Sequence, residues 1–126
     1  RAGLSPRRES FMQQARDRLN YADAILGTAH PAVVVSAAYY GMLYAARAAL
    51  SERGEFAKTH SGTWTLFSQV FVAPGEFDQR LSALARRAKA AREEGDYEAA
   101  PPSPEEAAEF VTGTAQFIAA IELMLA

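Results

Sequence analysis

The chain has 126 residues, with 13 Lys and Arg against 15 Asp and Glu for a net charge of −2, and it contains no cysteine. A chain of this length buries about two thirds of its unfolded surface as one domain, so residues 1–126 are read as a single unit that needs no disulfide or metal staple. The absence of cysteine excludes disulfides, thiol nucleophiles and cysteine-ligated metals, and neither a metal nor a cofactor is expected. All 13 basic side chains lie in residues 1–92 and 8 of the 15 acids lie in residues 93–126. This split either steers an anion to one surface or is neutralised where a folded chain sets the two regions side by side.

The predicted elements are all helical. Proline just inside a helix start and glycine just past its end form an asymmetric signal, because proline lacks a donor that the first turn cannot use and glycine tolerates positive φ. Ser5-Pro6 opens a first helix closed by Gly27, with Met12, Ala15, Leu19, Ala22 and Leu26 on one stripe. No charged region followed by an apolar run precedes it, so no signal peptide is read and the cytoplasm is the expected location.

Pro31 opens a second helix closed by Gly54. Its stretch Ala32 to Leu50 is long enough to raise a membrane span, but it holds Ser36, Arg47 and three tyrosines among seven alanines, which reads as a core helix with no membrane partner. Ala37, Gly41, Ala45 and Ala48 form a stripe of small residues, and Ser36, Tyr40, Tyr44 and Arg47 form another. A helix apolar on all sides is surrounded by neighbours, so these polar tips and the Arg47 charge must find partners. A buried polar network that fixes helix register is the leading reading, and a polar pocket facing the fourth helix is the other.

A short third helix runs from Thr59 or Ser61 to Ala73, with Trp64, Phe67 and Phe71 packing as a cap or cross-piece. Lys58-Thr59-His60-Ser61 lies at its start, where free amides attract anions and where a hydroxyl also serves as an ordinary N-cap. A fourth helix runs from Glu76 to Glu94 and ends at Gly95, with Phe77, Leu81, Leu84, Ala88 and Ala91 on its stripe. Arg80, Arg86, Arg87, Lys89 and Arg92 make it basic, and no aromatic residue interleaves with that run, so it carries no sign of base stacking. Ser103-Pro104-Glu105-Glu106 is a capping box that opens the fifth helix. The expected architecture is an all-α, up-and-down bundle of four to five helices.

Four motifs in this order, "SAAYYGMLYAARAAL", "KTHSG", "REEGDY" and "AAEFVTGTAQFIAAIE", resemble the HEPN (higher eukaryotes and prokaryotes nucleotide-binding) domain family, in its branch of small stand-alone bacterial and archaeal proteins. The resemblance runs from Arg8 to Leu123. It implies a HEPN-like bundle that is usually a homodimer and is often the partner of a minimal nucleotidyltransferase in a toxin–antitoxin-like module. Many members are metal-independent ribonucleases that carry an arginine followed after four to six residues by a histidine. A base must take the 2′-hydroxyl proton, and a cation must stabilise the charge gathering on phosphate.

The motif position falls on Arg92, where Asp96 and Tyr97 stand in place of the histidine. A carboxylate of ordinary pKa is a poor base for a hydroxyl and repels phosphate. Arg53 and His60 match the spacing but straddle the loop between the second and third helices, and Ala37 stands where this branch usually has arginine. The sequence is therefore read as a non-catalytic partner that holds a nucleotide or RNA phosphate through Arg92, Asp96, Tyr97, Lys58, His60, Tyr40, Tyr44 and Arg47. An endoribonuclease and a ligand-free structural dimer are the alternatives.

Overall fold

The computed structural model describes residues 6–96 and 101–126, apart from the side chains of residues 6 and 94–96. Five α-helices follow one another: α1 (Pro6–Ile25), α2 (Pro31–Glu52), α3 (His60–Phe67), α4 (Gln79–Asp96) and α5 (Pro104–Leu125), with a π-helical turn at Ser68–Val72 after α3. Among the described residues there is no strand. The all-α bundle expected from the punctuation is thus the architecture.

α2 occupies the centre, packed against α1, α4 and α5. Its mostly small and apolar residues explain the position, since Val34, Ala38, Met42, Ala45 and Ala49 are all buried. By length and composition α2 and α5 could each cross a bilayer, but 72% of the most apolar stretch of α2 lies inside the bundle, against 39% for α5. The small stripe of α2 lets backbones approach. A Cβ on Gly41 would fall 3.5 Å from the Ala15 carbonyl oxygen in α1 and 2.7 Å from Thr114 Cγ2 in α5. Thr114 Oγ1 donates to the Ala38 carbonyl at 2.8 Å, so the one polar side chain at this crossing is satisfied.

At one end Trp64, Phe67 and Phe71 cap the core as expected. The ring of Phe67 meets Phe77 at 5.0 Å and Phe117 at 5.8 Å, and Phe77 meets Phe117 at 4.8 Å. Edge-to-face and tilted rings at these separations add to the burial they already contribute.

Three boundaries depart from expectation. The third helix widens at Ser68 into the π turn, where the Ala73 amide donates to the Ser68 carbonyl at 2.8 Å. The fourth helix begins at Gln79 rather than Glu76. The amides of Glu76 and Phe77 turn back to the Phe71 carbonyl, and the Asp78 carboxylate accepts the Arg80 amide at 2.8 Å as the N-cap. Phe77 therefore joins the core from a loop. Finally, α4 continues through Gly95 to Asp96, because glycine permits a left-handed residue without requiring one.

The last helix opens as read. Ser103 Oγ accepts the Glu106 amide at 3.1 Å, and Glu106 Oε1 accepts the Ser103 amide at 3.2 Å. The two charged regions meet across the bundle through Arg16–Glu122 at 2.7 Å and Arg87–Glu109 at 2.8 Å. Neutralisation side by side is the outcome for these pairs.

Candidate functional site

The site is built on consecutive tyrosines of α2. Tyr39 points into the core and is fully buried, whereas Tyr40, one residue on, is half-buried at the edge of the bundle. α2 ends in a Schellman turn in which the Gly54 amide donates to the Ser51 carbonyl and the Glu55 amide to the Leu50 carbonyl, with Gly54 at φ +73°. The chain then doubles back, and Thr59 caps α3 by accepting the Gly62 amide at 2.9 Å. This return sets His60 and Trp64 beside Tyr39.

Tyr39 Oη accepts the Trp64 indole N–H at 3.1 Å and lies 3.1 Å from His60 Nδ1. An indole can only donate, so the phenol proton is the one available to His60, whose Nδ1 accepts and whose own proton is assigned to Nε2. Burial first, and then the guanidiniums of Arg47 and Arg92, hold the His60 pKa below the ordinary histidine value. The imidazole is accordingly neutral at pH 7. Burial pushes the Tyr39 phenol above its usual value against the opposing effects of the Trp64 hydrogen bond and Arg92.

Arg92 reaches from α4 to α2, where its Nη2 donates to Tyr40 Oη at 3.2 Å. Its guanidinium lies 5.1 Å from the centroid of Tyr40 and 5.8 Å from that of Tyr39. The His60 ring meets the same pair at 5.5 Å and 5.6 Å. His60 and Arg92 thus flank one pair of tyrosine rings, although among the described residues no hydrogen bond joins them directly. Arg18 of α1 adds a second cation to these rings, 5.0 Å from the Tyr40 centroid and 5.6 Å from that of Tyr44.

The remaining candidates divide. Arg47 donates from Nε to Thr63 Oγ1 at 3.4 Å and from Nη2 to the Lys58 carbonyl at 3.3 Å, which ties the loop to α2. The Lys58 side chain is exposed beside it. Tyr44 is stacked with Phe11 at 6.3 Å. Arg53 pairs with Glu76 at 2.7 Å and lies over Phe71, so its guanidinium is engaged away from His60. The Asp96 side chain and Tyr97 lie outside the described residues.

Tyr39, which bonds His60, Trp64, which bonds Tyr39, and Arg18 join the site although none was expected there from the sequence. Helical spacing placed Arg18 on the first helix, but nothing local showed that this face meets the tyrosines of α2.

This order of helices and motifs matches the HEPN domain over residues 8–124. The chain belongs to the HEPN domain family. Among HEPN relatives it is 34% identical over 94 residues to the UPF0332 protein glr0978 of Gloeobacter violaceus, covering 75% of each chain. It is 27% identical over 103 residues to a protein of Methanocaldococcus jannaschii named "Putative toxin MJ0142", covering 82% of this chain and 70% of the other. The fold of this HEPN chain is similar to the crystal structure of TT1696 from Thermus thermophilus, with a TM-score of 0.76, 23% identity and coverage of 94% and 98% of the two chains.

Proposed function

We propose that this HEPN protein is the non-catalytic, homodimeric partner of a small nucleotidyltransferase, in a toxin–antitoxin-like module, and that its Tyr40–Arg92 face receives a phosphate of a nucleotide or RNA. One observation carries the ligand reading. Arg18 and Arg92 lie over the Tyr40 ring and Arg47 acts on His60 through its charge, and among the described residues no carboxylate forms an ion pair with any of the three, the nearby Glu93 carboxylate pairing with Lys89. Guanidiniums with no ion-paired carboxylate among the described residues, set over a partly buried face, favour an acidic group that can accept several N–H bonds at once.

The chemistry of His60 supports docking rather than cleavage. Its Nδ1 is engaged by Tyr39 and its pKa is lowered, which makes it a weaker base, and Nε2–H is left as a neutral donor. The nucleotidyltransferase partnership rests on the resemblance to the family alone. The exposed outer side of α5, with Ala115, Ala119 and a 79% exposed Leu123, supports a second copy. Two measurements test the reading: co-purification with a minimal nucleotidyltransferase from the same genomic neighbourhood, and titration with mononucleotides while melting is followed. A ligand at 100 times its Kd adds about 2.7 kcal/mol of stability. The absence of both a complex and a shift would overturn the proposal in favour of the ligand-free structural reading.

A second reading, an endoribonuclease, is favoured by the shared tyrosine pair between His60 and Arg92. Incubating the purified protein with structured RNA and a metal chelator decides it. Cleavage that is lost in both Arg92→Ala and His60→Ala establishes a nuclease, and an inert parent protein ends that reading.

A further inference from the structure

Nine of the arginines separate by whether a carboxylate pairs with them, although two of the paired ones, Arg53 and Arg87, also lie over rings. Arg8, Arg16, Arg53, Arg80 and Arg87 each pair with a carboxylate. Arg7, Arg18, Arg47 and Arg92 instead lie against aromatic rings, with no ion pair among the described residues. These four and their rings form one continuous strip that extends well beyond the Tyr40–Arg92 face.

The strip starts at Phe56, which is 47% exposed and has the Arg7 guanidinium 4.4 Å from its centroid, with Arg47 on it at 6.0 Å. Arg7 also lies 5.8 Å from Phe11, and Phe11 stacks on Tyr44 with an interplanar angle of 20°. Tyr44 meets Tyr40 at 6.2 Å with Arg18 over both rings. Arg92 then closes the far end. Arg7 and Arg18 are roughly 16 Å apart along α1, so charges and rings alternate over several helical turns.

We infer that this strip binds a single-stranded nucleic acid several nucleotides long, with Phe56 and Arg7 as a stacking and phosphate subsite remote from Arg92. A single strand supplies a negative charge and a flat base at every repeat, which the alternating guanidiniums and rings require together. A duplex conceals its base faces, and an acidic peptide supplies charge without a partner for the exposed ring of Phe56. The inference rests on the phosphate reading of Arg92 only for where the strip ends.

The test is fluorescence anisotropy of labelled oligo(U) and oligo(dT) of about 12 nucleotides, with a duplex of the same length and poly-glutamate as competitors. The single strands should bind at about 50 mM salt and weaken as salt rises, with a log–log slope near −0.7 per phosphate engaged. Comparing the two oligonucleotides separates RNA from DNA. Phe56→Ala should weaken binding roughly tenfold, and Arg7→Gln should reduce the salt slope by about 0.7. Both positions are exposed, and unchanged melting temperatures exclude misfolding. Absence of binding, equal competition by the duplex or poly-glutamate, or indifference to both substitutions overturns the inference. Mononucleotide shifts that persist in Phe56→Ala while the strand still binds unchanged sink the strip and spare Arg92. Strand binding lost in Phe56→Ala with no mononucleotide effect does the reverse.

Discussion

The Tyr39 hydroxyl stands 3.1 Å from the Trp64 indole nitrogen and 3.1 Å from His60 Nδ1, joining three side chains whose positions in the chain are 21 and 25 residues from the tyrosine. Trp64 is buried, so its N–H depends on this single acceptor. Tyr39→Phe keeps the ring and removes the acceptor, leaving a buried donor unsatisfied. Stability should fall by about 1–3 kcal/mol, read as a lower urea midpoint with an unchanged slope.

The depressed His60 pKa fixes the sign of a pH effect. The unfolded chain takes up a proton at about pH 6.5, before the folded chain does, so acid favours unfolding. The stability that neutral His60 contributes is complete above about pH 6.5 and is lost as pH falls toward the lower folded pKa. The melting temperature should decline over this window in the parent and less in His60→Gln. An identical decline in both would show that His60 is not its source.

Two glycines on facing helices separate a rigid clash from a soft one. A Cβ at Gly41 meets Thr114 Cγ2 at 2.7 Å, and the Thr114 rotamer is fixed by its hydrogen bond to Ala38. Gly41→Ala should cost about 1–3 kcal/mol, as overpacked cores do. A Cβ at Gly113 meets the end of the Leu84 side chain, which is half-buried and free to rotate away. Alanine also improves helix propensity by up to about 1 kcal/mol, so Gly113→Ala should stay within about 1 kcal/mol of the parent. Thermal melts of the two variants give the comparison.

The α5 capping box offers a local check. Ser103→Ala removes the acceptor for the Glu106 amide and should destabilise by about 1 kcal/mol. Ser103→Gly should lose only a few tenths. The difference is measurable by chemical denaturation.

The pattern of proline, glycine and capping residues in the chain determined the number, order and all-helical nature of the elements, because those signals act within one turn of backbone. The apolar character of α2 on all sides likewise determined that it is central, and thirteen of its residues are buried in the structure. Where a boundary depended on a partner, local signals failed: Phe77 enters the core from a loop because Phe67 and Phe117 receive its ring. The site followed the same division. Tyr40, Tyr44 and Arg47 could be grouped from helical spacing, and Arg92 could be directed toward α2. Only the tertiary structure brought His60 back to Tyr39 through the Gly54 turn and set Arg7 and Arg18 of α1 over rings carried by α2 and its following loop. Spacing along a helix fixes which side chains share a face, but which face meets which is decided by packing between elements distant in sequence.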